Sequence, residues 1–154
     1  MALTVHGMAE IAQLAGRDLG RSRWREVTQE LVDAFADVSG DYQWIHTDTE
    51  RAARGPYGRT IAHGYMILSW GVPLFSELLR VSGVGMALNY GTDRVRFPAP
   101  VPVGSRVRLH AEVSGIRQVS RGGIAMTRAF TFELEGSEKP ACVAQSLTHF
   151  YPAA

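Results

Sequence analysis

Asp41 and His46 stand five residues apart in Ser39-Gly40-Asp41-Tyr42-Gln43-Trp44-Ile45-His46-Thr47-Asp48, the densest polar stretch of the chain. A carboxylate and an imidazole that face one point in space can do proton-transfer chemistry. One group takes a proton from water while the other delivers one. Imidazole titrates within reach of neutrality, and a partly buried carboxylate can be raised toward it. By itself D-x4-H is a weak signal. On spacing alone the commoner arrangement is an Asp that caps a turn and a His that bonds backbone.

A second group is Thr60-Ile61-Ala62-His63-Gly64-Tyr65-Met66, at the head of an apolar segment. The first amides of a helix lack internal acceptors and favour negative charge. Gly64 lets a carbonyl oxygen approach that backbone, so a thioester or amide carbonyl there would be polarised as in an oxyanion hole. The plainer alternative is that Gly64 permits tight packing and His63 bonds locally. A third group joins Leu88-Asn89-Tyr90-Gly91 to Arg94-Val95-Arg96-Phe97-Pro98-Ala99-Pro100-Val101-Pro102-Val103-Gly104. Arg94 and Arg96 would share one side of a strand and could meet phosphate, or simply form a solvated face.

Other chemistries have little support. His6, His46, His63, His110 and His149 show neither HExxH nor His/Cys ligand spacing, so no metal site is expected. No GxGxxG precedes a helix and no Walker-type loop occurs. Ser69 and Ser76 lack a nucleophile-elbow context. Cys142 reads as a small core residue on a strand rather than a nucleophile.

The elements that must position these groups follow from periodicity. Residues 6–16 predict a short amphipathic helix stopped by Gly16, and Trp24 to Val27 a short extended run. Thr28 is a capping residue for a helix over 29–38, whose stripe is Leu31, Val32, Phe35, Ala36 and Val38. Residues 41–60 read as irregular, with one helical turn at Thr49–Ala53. Ile61 to Arg80 is apolar nearly all round, which predicts a buried central helix about 25 Å long with a kink or break at Pro73. Strands are expected at 86–90, 93–97, 106–116, 124–134 and 141–151. In the third of these Val107, Leu109, Ala111 and Val113 alternate with Arg106, Arg108, His110 and Glu112, giving one buried and one wet face. Three prolines at 98–102 exclude a central strand there. Helices followed by a run of antiparallel strands define an α+β class: a sheet of about five strands wrapped around one long helix. Its free edge and face suit a second copy, so a homodimer is expected.

Length and composition agree. The 154 residues fit one domain, 1–154, with 1–20 as N-terminal helix and lead-in, and 45% hydrophobic with 20% charged residues is ordinary for a globular chain. A net charge of +1 gives no electrostatic case for nucleic acid. No apolar run approaches the roughly 20 residues of a membrane span, no secretory signal is visible at the start, and a lone cysteine excludes a disulfide framework. The expectation is a cytoplasmic protein.

The stretch Ser39-Gly40-Asp41…His46-Thr47-Asp48…Ala52…Gly58-Arg59-Thr60-Ile61-Ala62-His63-Gly64 resembles the hydratase motif of the MaoC-like dehydratases, the (R)-specific enoyl-CoA hydratases. The run from Asn89-Tyr90-Gly91 through Val95 to Ser105 is similar to the continuation in a single-domain actinobacterial branch related to NodN-type proteins. The resemblance covers about 6–151. It implies a hot-dog fold, a dimer of hot dogs, and an acyl-CoA or acyl-carrier-protein thioester bound between subunits. The implied reaction is reversible syn hydration of a trans-2-enoyl thioester to the (R)-3-hydroxyacyl thioester, with no metal or redox cofactor. By position, Asp41 and His46 would hold the catalytic water, and the Gly64 amide would bond the thioester oxygen. Gln43, His63 and Asn89 would serve beside it as oxyanion or substrate-binding residues, and Arg96 as a contact to CoA. Where the family commonly has Asn-Pro between the Asp and the His, this chain has Gln43-Trp44, with Trp44 adding bulk near the pocket. A Ser found further along the helix in some short-chain hydratases has Val72 as its counterpart here. Two other readings stand beside this one: a thioesterase on the same fold, and a non-catalytic acyl-thioester binding module.

Overall fold

The computed structural model describes residues 2–153. In chain order the elements are β1 (Leu3–His6), α1 (Gly7–Ile11), β2 (Asp18–Arg21), β3 (Arg25–Glu26), α2 (Gln29–Ser39), α3 (Trp44–Thr47), α4 (Thr49–Ala53), α5 (Gly64–Ser69), α6 (Gly71–Ser76), β4 (Leu79–Ser82), β5 (Met86–Arg96), β6 (Arg106–Val119), β7 (Gly123–Leu134) and β8 (Cys142–Tyr151). An antiparallel sheet runs β2-β6-β7-β8-β5, and β3 pairs with β6 beyond β2. It has six strands where about five were expected. Of the two short additions, β3 falls in the extended run expected at Trp24 to Val27, and β2 is too short to carry a periodic signal. The architecture is the hot-dog arrangement, a sheet against a helical layer.

Alternation builds the core. Val107, Leu109, Ala111 and Val113 of β6 are fully buried. On β7 the inward row is Ile124, Met126, Arg128, Phe130, Phe132 and Leu134, one cation in a file of apolar side chains. Bulges interrupt β6 between Val113 and Gly115 and β5 between Asn89 and Gly91 and again between Asp93 and Arg96. Bulges bend and twist a strand, which lets a sheet curve round a helix. The second β5 bulge carries Arg94 at φ 53°, and it breaks the alternation that would put Arg94 and Arg96 on one face. The strands expected at 86–90 and 93–97 are one strand running through these bulges.

The helical layer departs from expectation in an instructive way. Residues 61–80 do not form one long helix. They form α5 and α6, joined at Trp70, and the chain then becomes β4. Pro73 has no N–H to give the Ser69 carbonyl, and its ring crowds that oxygen, so the ladder breaks one turn before the proline. β4 pairs in parallel with β1, a strand within the stretch 1–20 expected to hold a helix and lead-in. Leu79 and Val81 extend the helical apolar pattern by chance of spacing, and so hide a strand. The helix expected at 6–16 shortens to α1 and ends in turns at Gly16, φ 76°. Gly71 marks a close approach of helix to sheet: a Cβ there would lie 3.0 Å from the Phe130 ring. Phe75 packs on Phe130 at 5.6 Å between ring centroids.

At the far end of the sheet, β5 is exposed along almost its whole length, Met86, Leu88 and Tyr90 included. Among the described residues no helix is long and apolar enough to cross a membrane.

Candidate active site

The site begins where α2 stops. Thr28 accepts from the Leu31 amide at its start, and Gly40 ends it in the left-handed region at φ 76°. The chain then turns through Asp41, whose amide donates to Ser39 Oγ (3.3 Å) and whose Oδ1 accepts from the Gln43 amide (3.2 Å). Gln43 caps α3, one helical turn that carries His46 inward to a buried position. Behind it runs the segment 60–62, fixed on both sides. The Ile61 amide donates to the Ile45 carbonyl (2.9 Å), the Ala62 amide to Val101 (2.8 Å), and Val103 to Thr60 (2.9 Å).

These backbone groups decide the histidine tautomers. His46 Nδ1 lies 2.7 Å from the Ile61 carbonyl. A carbonyl only accepts, so Nδ1 carries the hydrogen and Nε2 keeps its lone pair. His63 Nε2 likewise donates to the Asp41 carbonyl at 2.9 Å, tying the Asp41 turn to the head of α5. The two imidazoles stack at 3.8 Å and 26°, with Phe35 tilted against His63 at 5.0 Å. Burial holds the His46 imidazole below its ordinary range, and neighbouring His63 adds to this. The Ile61 bond and the Asp41 charge oppose the shift without reversing it. His46 is therefore neutral at neutral pH. Gln29 braces the assembly, donating to the His46 carbonyl (2.8 Å) and accepting from Thr60 Oγ1 (2.6 Å).

Asp41, His46 and His63 each offer an atom within 4.8 Å of the others, a grouping that could in principle hold a metal. An imidazole binds a metal in its ring plane. Two rings stacked nearly parallel at 3.8 Å do not bring their lone pairs to one in-plane point. The same spacing between the Asp41 carboxylate and a His46 ring nitrogen is one that a single water can bridge.

His46 and Gly64 look into one cavity of 250 Å³, walled by Ile67, Phe97 and Val101. Gly64 opens α5, and a Cβ on it would lie 3.0 Å from the Phe97 ring. The other residues singled out in the sequence are placed differently. Asp41 is exposed at the turn beside His46 and, like the buried His63, does not line this cavity; Gln43 is exposed, its backbone serving Asp41. Trp44 turns away, packed on Gly55 and under Arg51. Asn89 and Val72 line a second cavity, on the other side of α5. Arg96 is exposed on the edge strand, bonded to its own neighbour's carbonyl. Cys142 is fully buried, and burial pushes its thiol up to about 12. Gln29 and the Ile61 carbonyl were invisible in the sequence, since nothing local marks a residue that acts across 17 or 15 positions.

Comparison with known proteins bears on this geometry. The chain matches the MaoC like domain over residues 10–131. It is 50% identical over 147 residues to 3-hydroxyacyl-thioester dehydratase Z of Mycobacterium tuberculosis, covering 96% of this chain and 97% of that protein. It is 40% identical to nodulation protein N of Rhizobium leguminosarum bv. viciae, covering 92% and 89%. Among solved structures, the (R)-hydratase of A. caviae superposes with a TM-score of 0.68 at 23% identity, covering 87% of this chain and 94% of that one. A monoamine oxidase regulatory protein of Archaeoglobus gives 0.76 at 24%, covering 91% and 92%. The stretch that matches the family takes in the Asp41 turn, α3, the head of α5 and most of the sheet, and half the residues are shared with the dehydratase over 147 aligned positions. On those grounds this chain belongs to the MaoC-like dehydratase family.

Proposed function

We propose that the protein is a hydro-lyase of acyl thioesters, an (R)-specific enoyl-CoA hydratase that adds water reversibly and syn across a trans-2-enoyl thioester. The observation that carries this reading is the neutral His46, its Nδ1 hydrogen committed to Ile61 and its other nitrogen left as an acceptor, with the Asp41 carboxylate within 4.8 Å of the ring's nitrogens as a group. Both are acceptors, and together they can hold the two hydrogens of one water. In hydration, the water oxygen bonds to C3 as one O–H bond breaks. That proton passes to His46 Nε2 and then to C2 on the same face. The other hydrogen, held by Asp41, stays on the product hydroxyl. Negative charge building on the thioester oxygen is met by the Gly64 amide. No metal is required by this scheme, and the stacked imidazoles support that. The names of the relatives above, a 3-hydroxyacyl-thioester dehydratase and an (R)-hydratase, support the substrate class.

Crotonyl-CoA hydration tests it. Asp41→Asn and His46→Gln should each lower kcat/KM at least about 10²-fold, with the product of (R) configuration. Near-normal rates in a folded variant would overturn the mechanism. Release of free thiol in place of lost enoyl absorbance would identify a thioesterase, and saturable binding without turnover a binding module.

The exposed β5 edge supports a dimer of two such chains, since an eleven-residue edge strand, paired on one side only and with apolar side chains facing out, is a template for pairing. Light scattering should give twice the 16.9 kDa chain mass. A monomer at micromolar concentration would refute this.

A further inference from the structure

The second cavity, 450 Å³, lies between α5–α6 and strands β7, β8 and β5. Its walls are apolar, with Leu68, Phe75, Leu79 and Phe150 among them, yet Arg128 stands in the wall with 6% of its surface exposed. A buried guanidinium ordinarily sits against a carboxylate. Here, among the described residues, no acidic group lies within ion-pairing distance. Nη2 donates to two neutral hydroxyls, Ser146 Oγ (2.6 Å) and Thr148 Oγ1 (2.5 Å), and Nε is buried with no acceptor. Two aromatic faces, Phe75 at 4.4 Å and Phe130 at 4.9 Å, hold the guanidinium in place. Burial alone lowers its pKa, to about 10, so the group remains a cation at neutral pH.

Leaving a buried charge without its counter-charge is costly, by more than aromatic stacking returns. A cavity of this volume is in the range that takes small ligands. The ligand's chemistry follows from the walls. One cation with a planar fork of donors matches one carboxylate, and among the described residues no second cationic side chain lines the cavity to meet a phosphate dianion. The apolar remainder matches an aliphatic chain. We propose that the Arg128 cavity binds a carboxylate carried on an aliphatic chain. Two sources share that chemistry. One is the far end of an acyl thioester whose enoyl group sits at His46, on the other side of α5, and this version rests on the hydratase reading. The other is a free carboxylic acid.

Calorimetry on the purified protein at pH 7.5 tests the site without reference to turnover. Octanoate should bind at least about tenfold tighter than octan-1-ol, as a charge-assisted hydrogen bond implies. Arg128→Met should abolish that difference, and Arg128→Lys should keep part of it. Equal binding of the acid and the alcohol to the unaltered protein would overturn the proposal, whatever the fold of the variants. So would octanoate binding that Arg128→Met does not weaken. Steady-state kinetics then separates the sources. A preference of about tenfold or more in kcat/KM for medium-chain enoyl-CoAs ending in carboxyl over those ending in methyl, lost in Arg128→Met, assigns the carboxylate to the acyl terminus. An Arg128-dependent octanoate site with no such preference assigns it to a free acid. Failure of hydration altogether leaves the calorimetric result standing.

Discussion

Two cavities flank α5, and each buries an ionisable group in a different state. His46 meets burial by shedding its proton: it is neutral, its Nδ1 hydrogen is given to a carbonyl, and its ring is stacked on a second imidazole. Arg128 has no such option, because a guanidinium stays charged at any ordinary pH, and it is buried with an unmatched donor. One site is a poised acceptor that needs only water and an electrophile. The other is a standing charge that needs an anion. The residue type, more than the depth of burial, sets which chemistry a pocket in this fold can host.

The sharpest way to break this comparison is to neutralise one side. His46→Gln should lose at least about 10²-fold in hydration while octanoate still binds at Arg128, which shows the cavities to be separable. If the acid no longer binds in that variant, the cavities are one site. Next in size is Gly71→Ala, whose new Cβ would press on the Phe130 ring that stacks over Arg128. We expect a loss of about 1–3 kcal/mol in urea-induced unfolding, with weakened octanoate binding. Gly64→Ala should act on the first cavity alone, since its Cβ meets the Phe97 ring at 3.0 Å. A fall of about tenfold in crotonyl-CoA kcat/KM with little change in octanoate affinity would sharpen the division, equivalent to about 1.4 kcal/mol. The smallest effect is a shift in pH. Because burial depresses the His46 pKa, the neutral imidazole persists below pH 6.5. The acid limb of kcat/KM should therefore lie below that value. The same sign holds for stability: the contribution is present above the unfolded pKa and is lost as pH falls through the lower folded one. An acid limb above 6.5 would show that His46 is not held below its ordinary range, and would overturn this reading of its burial.

Much of this was legible in the residues. Alternation in β6, the Thr28 cap, the helical turn at Thr49–Ala53 and the Asp41–His46 loop all carry local signals that survive folding. The α5–α6 break was legible as Pro73, but β4 was not, because Leu79 and Val81 suit both a helical and an extended period. Asn89 reads as part of the motif yet faces the other cavity, since the β5 bulges change which side each residue presents. His63 reads as a ligand-binding residue and acts in the structure as the tie that positions Asp41. Arg128 did leave a signal that was passed over. It is the one charged side chain on the inward row of β7, and a charge at period two on an apolar face asks for an explanation.

The sealed position of Cys142 has a practical corollary. With its sulfur inaccessible and protonated far above neutrality, the chain offers no accessible thiol to maleimides among its described residues. A cysteine introduced at any exposed site, on the β5 edge for instance, would then be the one reactive thiol among the described residues, and a maleimide dye placed there would report on assembly without labelling Cys142.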